Sequence, residues 1–219
     1  MTTVSAALRS GRLPRSFYDR PTLDVAQGLM GCRIVYDGPR GRLSARIVEV
    51  EAYIGEDDPA CHASAGRTAR TAPMFGPPGR AYIYFIYGMY YCLNFVTESE
   101  GRPAAVLLRG AEPLEGLELM RTLATPQQDA RLLAGPGKFC RAFGLTTEQN
   151  GWDLTSSSLY LLSPVRTVAR VASSPRIGIS KATRRHWRFF DPDSPSVSKR
   201  VANGIMSAVG ERGSNQRLR

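Results

Sequence analysis

Residues 81–96 read AYIYFIYGMYYCLNFV. Five of the chain's nine tyrosines and two of its eight phenylalanines fall in this stretch, around a Tyr-Gly-Met at positions 87–89. It is not a membrane span: spanning takes about 20 predominantly apolar residues, and this stretch is shorter, tyrosine-rich and interrupted by Gly88. Aromatic and β-branched residues favour a pleated surface, and Gly permits the tight turn between paired strands, so the pattern predicts a β-hairpin. Alternation along a strand puts Tyr82, Tyr84 and Ile86 on one face, with Ile83 and Phe85 on the other. On the return strand Tyr90, Cys92 and Asn94 share a face. Tyr87, Gly88 and Met89 then form the tip. The pattern alone leaves two uses open: an aromatic core pair with a buried turn, or a tip presented to solvent, where turns usually lie.

The strand upstream carries the second signal. In ARIVEVEAYIG (45–55), Val48, Val50, Ala52 and Ile54 alternate with Glu49, Glu51 and Tyr53. One face is apolar, and the other is a carboxylate pair followed by an aromatic ring. Glu51 and Tyr53 lie about 7 Å apart along such a strand, which suits an acid placed beside a stacked, flat substrate. The plainer reading is a solvated strand face. Aromatic faces from the hairpin next to a lone carboxylate are what a purine or pyrimidine pocket needs.

The remaining pattern places these strands in one domain. Thr22 reads as the cap of a helix running to about Met30 with Gly31 as its stop. RIVYDG and the strand at 41–54 join through a polar DGPRGR turn, and a long loop, with a short helix at most, follows Pro59. AAVLLRGAE reads as a strand, PLEGLELMRTLA as a helix with Leu114, Leu117, Met120 and Leu123 on one stripe, and GPGKFCRAFGL as a shorter helix. SLYLLSP and RIGIS read as strands, and KATRRHWRFF as a segment leading out of the core. Many strands, few helices and hairpin connections predict a single mixed α+β domain on a curved, largely antiparallel sheet.

Composition narrows the partners. The net charge is +10 in 219 residues, with 42% hydrophobic content. Residues 1–50 carry eight Arg against four acids, residues 51–120 five Arg against nine acids, and residues 121–219 sixteen basic residues against six acids. Basic charge therefore flanks the aromatic region, as in a protein that grips a phosphate backbone around a less basic centre. Cys32, Cys61, Cys92 and Cys140 are 29, 31 and 48 residues apart, and the two histidines are His62 and His186. That spacing fits neither a zinc site nor a redox pair, so no metal or cofactor is expected, and the thiols read as reduced. The N-terminal segment lacks a continuous apolar run of the secretory kind. Residues 1–16 read as a flexible basic arm, 17–199 as the folded domain, and 200–219 as a disordered tail.

VEVEAYIGEDDPACHA, PMFGPPGRAYIYFIYGMYYCLNFV and VLLRGAEPLEG, in this order, closely resemble the alkyladenine (3-methyladenine, methylpurine) DNA glycosylase family. The resemblance continues through GPGKFCRAFGL, RIGIS, RFF and SPSVSK, covering roughly residues 17–199. It implies a single mixed α/β domain, unrelated to helix-hairpin-helix glycosylases, whose β-hairpin enters the DNA minor groove. It also implies base-excision repair: a monofunctional N-glycosyl hydrolase flips an alkylated or deaminated purine out of double-stranded DNA and leaves an abasic site.

Residue by residue, the resemblance makes Glu51 the general base that activates water. Arg109 helps to hold that water and the nearby phosphate. Tyr53 and Tyr84 sandwich the flipped base, His62 contacts it from the side, and Asn94 opposes the guanine 2-amino group from the pocket floor. Ile179 supplies a backbone carbonyl to the water site. Tyr87, with Met89 beside it, fills the gap left in the duplex. Water, not an amine, is the expected nucleophile, since Lys138, Lys181 and Lys199 all lie outside the three leading segments that hold Glu51, the hairpin and Arg109. The implied setting is a monomer on damaged DNA, without membrane, in the cytoplasm or nucleoid of a bacterium or the nucleus of a eukaryote. Two other readings are a non-catalytic nucleic-acid-binding module with stacking aromatics and a hydrolase of small nucleosides. The first leaves Glu51 beside Tyr53 without a purpose, and the second leaves the +10 charge unexplained.

Overall fold

The computed structural model describes residues 11–125, 128–164 and 168–199. Its centre is a long strand, β2 (Gly41–Ile54), paired along one edge with β5 (Ala104–Glu115). The other edge of β2 is shared. Its first half pairs with β1 (Arg33–Gly38), and its second half with the short β8 (Arg188–Phe190). β3 (Ala81–Ile86) and β4 (Tyr90–Val96) extend the sheet beyond β5, β6 (Leu159–Leu162) extends it beyond β1, and β7 (Ala172–Ser174) pairs with β8. Every pairing is antiparallel. With four short α-helices beside this curled sheet among the described residues, the fold is the mixed α+β class that the sequence predicts.

β3 and β4 pair as a hairpin. Tyr82 faces Asn94, Tyr84 faces Cys92, and Ile86 faces Tyr90. The turn is tight because Tyr87 and Gly88 both take positive φ, +54° and +67°, as turns that match the strands' twist require. Ala81, Ile83, Leu93 and Phe95 belong to the main core, while Tyr82, Val96 and the partly buried Tyr84 pack in a smaller cluster with Cys61, Met74 and Ala105. The period of two in the sequence thus separates core from site.

Along β2 the alternation changes phase. Leu43, Ala45 and Ile47 face the main core, and beyond the next residue Val50 and Ala52 do so. The switch is a β-bulge: Ile47 faces Ala111 and Glu49 faces Gly110, leaving Val48 without a counterpart. A bulge adds one residue to one strand, and here it keeps Glu49 and Glu51 off the apolar face. Neither is solvated. Both are fully buried, because β8 and the chain following β7 close over this side of β2.

Helices cover the main core. α1 (Arg15–Tyr18) and α2 (Thr22–Gly28) bring in Tyr18, Val25 and Ala26, α3 (Leu117–Leu123) brings in Met120, and α4 (Pro136–Phe143) brings in Phe139, Cys140, Ala142 and Phe143. In α4 the i, i+4 pair Phe139 and Phe143 stacks with ring centres 4.2 Å apart, and burying each such ring contributes about 1.5–3 kcal/mol. α4 lies close against β4: a Cβ at Gly137 would come within 2.6 Å of the Tyr90 ring.

Five local expectations need correction. Thr22 does not cap α2. Pro21 holds that position, and the buried Thr22 hydroxyl bonds to Glu98 and Thr97, while Glu98 also accepts from the Thr22 N–H. The helix also stops at Gly28, with a turn to Gly31. The PLE segment ends β5, which leaves Leu114 exposed, and α3 starts only after Gly116. RIGIS is an irregular bend, not a strand, because Gly178 takes φ +75°. RFF is not on the way out of the core: it is β8, with Arg188 fully buried. The predicted arm (apart from its last few residues) and the predicted tail lie outside the described residues. Among the described residues no helix is long and apolar enough to cross a membrane.

Candidate active site

Glu51 sits in the C-terminal half of β2, where β5 and β8 flank it, opposite Leu107 and Arg188. Its carboxylate accepts three hydrogen bonds. The Ile177 N–H reaches Oε1 at 2.7 Å, and the Tyr53 hydroxyl reaches Oε2 at 2.9 Å. Arg109 Nη1 lies 3.3 Å from Oε2. Burial raises the carboxyl above its ordinary pKa, although Arg109, the Ile177 N–H and the Tyr53 hydroxyl all pull the other way. A Glu shifted upward in this way is a stronger base than one in water.

Arg109 is shared. Its Nε bonds Glu49 Oε1 at 3.1 Å, so one guanidinium spans both carboxylates of the strand. Glu49 is further saturated by Arg188 Nε at 2.7 Å and by the Ser198 N–H and hydroxyl at 2.6 and 2.8 Å. Two buried carboxylates are thereby matched by two buried guanidiniums, as low-dielectric surroundings demand.

Above Glu51 opens a cavity of about 520 Å³, within the range of small-molecule sites. Tyr53, His62, Tyr84, Asn94, Arg109 and Ile179 all line it, and so does Tyr87 from the hairpin tip. Glu51 itself lies behind this lining, and Met89 stands outside it. His62 opens a 3₁₀ turn (His62–Ala65), with its ring edge-on to Tyr84 at 4.5 Å and Nδ1 3.2 Å from the Tyr82 hydroxyl. Burial, then the Arg70 cation, pull the imidazole below its usual pKa. Asn94 donates its amide nitrogen to the carbonyls of Tyr82 and Cys92. Two acceptors fix that orientation, because the amide oxygen cannot donate. At the tip Tyr87 is 79% exposed and Met89 57%, so the buried-turn reading is wrong.

Several residues at the site were not singled out from the sequence. Arg176 and Asp58, both fully buried, form a two-pronged pair at 2.5 and 2.7 Å. Arg176 also donates to the Ala52 carbonyl and lies 4.6 Å from the Tyr53 ring centre. It directly precedes Ile177, whose N–H holds Glu51. Glu49, Arg188 and Ser198 belong to the same support. Lys181, though outside the motif segments, lines the cavity as well.

The site is thus a buried, multiply bonded acid beneath an aromatic-walled cavity, in a strongly basic chain. The sequence profile described as Methylpurine-DNA glycosylase (MPG) matches residues 16–195. A protein of Methanocella arvoryzae named "Putative 3-methyladenine DNA glycosylase" is 51% identical over 197 residues, covering 88% of this chain and 98% of the relative. Proteins of the same name from Wolbachia pipientis (subsp. Culex pipiens) and Chlorobaculum parvum are 50% and 46% identical, covering 81% and 85% of this chain and 88% and 90% of their own. The chain belongs to the methylpurine-DNA glycosylase family, and is thus a DNA glycosylase, a glycosyl hydrolase that takes DNA as substrate.

Proposed function

We propose that this enzyme removes alkylated purines such as 3-methyladenine, and deaminated purines such as hypoxanthine, from double-stranded DNA by a water-mediated, base-flipping mechanism. The observation that carries this reading is Glu51: fully buried, beneath the cavity, with three donors on its carboxylate. An ionised carboxylate has about four lone-pair sites. One is left for a water, which Glu51 deprotonates as it attacks the deoxyribose C1′. Arg109 and the Ile179 carbonyl complete the water's surroundings, and Arg109 also faces the phosphate.

The target base cannot be attacked inside the stack, and turning it out costs a few kcal/mol. Tyr87, with Met89 beside it, enters the minor groove and fills the vacated space, offsetting that cost. The extruded purine lies between Tyr53 and Tyr84, with His62 at its edge. Asn94 opposes the 2-amino group that distinguishes guanine. The catalytic unit spans residues 17–199 and acts as a monomer.

The test is a panel of duplexes, each carrying one defined lesion, assayed for free base and abasic site. Release of a damaged base, with no protein–DNA adduct trapped by borohydride, is the expected result. Specific binding without release would leave a non-catalytic module. A trapped adduct would replace water with an amine, and Lys181, which lines the cavity, is the lysine to examine first.

A further inference from the structure

The two tyrosine walls of the cavity are backed differently. Arg176 lies over Tyr53 at 4.6 Å and Arg70 over Tyr84 at 5.1 Å. Neither guanidinium lines the cavity, which fits a place on the ring face turned away from it. Arg176 is neutralised by Asp58. Arg70 is exposed and has no carboxylate partner among the described residues. It interacts instead with the Tyr82 hydroxyl, and its charge bears on His62. The other charges near the walls differ in kind: Glu51 and Glu49 share Arg109, and Lys181 belongs to the lining itself. One wall is therefore backed by a neutral ion pair and the other by an uncompensated cation.

Purines damaged at a ring nitrogen by alkylation carry a fixed positive charge in DNA, whereas deaminated ones are neutral. A bare tyrosine face attracts a cation through its quadrupole, so two bare walls would favour the charged class. A cation on the far face of one ring offsets that attraction. The Arg70 guanidinium lies 5.1 Å from the ring centre, and a stacked base would lie about 3.5 Å beyond it. The two charges are then about one Debye length apart at 0.15 M salt, close enough to repel.

We propose that Arg70 is a specificity-determining residue that levels the pocket's preference between cationic and neutral damaged purines. The inference rests on the base-sandwich role of Tyr84, and the test separates the two. In a Glu51→Gln background, in which excision is expected to be at least about 10²-fold slower, binding is measured on two duplexes of the same sequence. One carries 3-methyladenine, which is cationic, and the other its neutral isostere 3-methyl-3-deazaadenine. Taking the ratio of affinities cancels contacts to the shared phosphate backbone. The measurement is made at pH 8 and low salt, where His62 stays neutral and screening is weak.

Arg70→Gln is expected to shift the ratio toward the cationic base about two- to fivefold, the equivalent of an exposed cation–π contact. Arg70→Lys, which keeps the charge, should leave the ratio as in the parent. An unchanged ratio in Arg70→Gln, with both duplexes bound, overturns the proposal. So does an Arg70→Lys variant that behaves like Arg70→Gln, since shape and not charge would then matter. If neither lesion binds more tightly than undamaged duplex in the parent, the damaged-base reading fails and takes this inference with it.

Discussion

The floor of the cavity and the tip of the hairpin belong to one sheet, yet they are built on opposite terms. At the floor, Glu49, Glu51, Arg109 and Arg188 are all buried, and each finds its partner within the protein. At the tip, Tyr87 and Met89 stand in solvent, and a Cβ added to Gly88 would meet nothing within 4 Å. The floor's geometry is set before any substrate arrives, which is what electrostatic catalysis needs. The side chains of the tip are mostly exposed, so they have contact area to gain from a partner. Mutations at the floor should therefore act on chemistry and stability, and those at the tip on binding.

The largest break is expected at Glu51. Glu51→Gln should lower single-turnover excision by at least about 10²-fold, the lower end of general-base effects, while keeping affinity for lesion DNA. A rate near that of the parent would remove Glu51 from the chemistry. Next comes the support beneath Tyr53. Asp58→Asn leaves Arg176 buried without its counter-charge, which costs about 3–5 kcal/mol and should show as a lowered denaturation midpoint. No change in the midpoint would mean that the pair contributes nothing to the floor.

At the tip, Tyr87→Ala should weaken binding to damaged duplex by about 1–3 kcal/mol without changing stability. The loss should shrink on an oligonucleotide whose target base is already unstacked, and equal losses on both would contradict the wedge. Asn94 lies between the two regimes. Asn94→Ser should raise release of normal guanine relative to hypoxanthine roughly ten- to a hundredfold, since rejecting one misplaced amino group is worth about 1–3 kcal/mol. A fixed ratio in a folded, active variant would end its selectivity role.

The smallest effect is on pH. Glu51 must be ionised to act as a base, and burial holds its pKa above the ordinary carboxyl value. Excision should therefore fall away with acid at a higher pH than a solvated Glu would give. Arg109 favours the ionised form, so Arg109→Gln should move that limb further up. Movement downward would falsify the electrostatic coupling between the two.

The parts of this site that the sequence revealed are those carried by local pattern. The hairpin is written in a period of two around Gly88, and the Glu51–Tyr53 strand in the alternation of VEVEAY. What stayed hidden depends on partners far along the chain: Glu49 and Arg188 are 139 residues apart, Asp58 and Arg176 118. An arginine-rich run such as KATRRHWRFF reads as solvent-facing because nothing local shows that a buried carboxylate awaits Arg188. RIGIS has the apolar alternation of a strand, but Gly178 bends it, and the bend is what brings the Ile177 N–H onto Glu51. Leu114 matched a helical stripe by spacing alone, while the pairing of β5 with β2 had already claimed it: Pro113 faces Ala45 and Glu115 faces Ser44.

The bulge at Val48 also guards the register of the sheet. Side chains on a strand change sides with every residue, so sliding β2 by one position against β5 would exchange its faces. Ironing out the bulge would do the same to everything beyond it, turning Glu49 and Glu51 toward Val106, Leu108 and the rest of the apolar interior. Burying two unpaired carboxylates there is prohibitive, so such misaligned pairings are far less stable than the native one. The buried acids thus also count the residues of their strand.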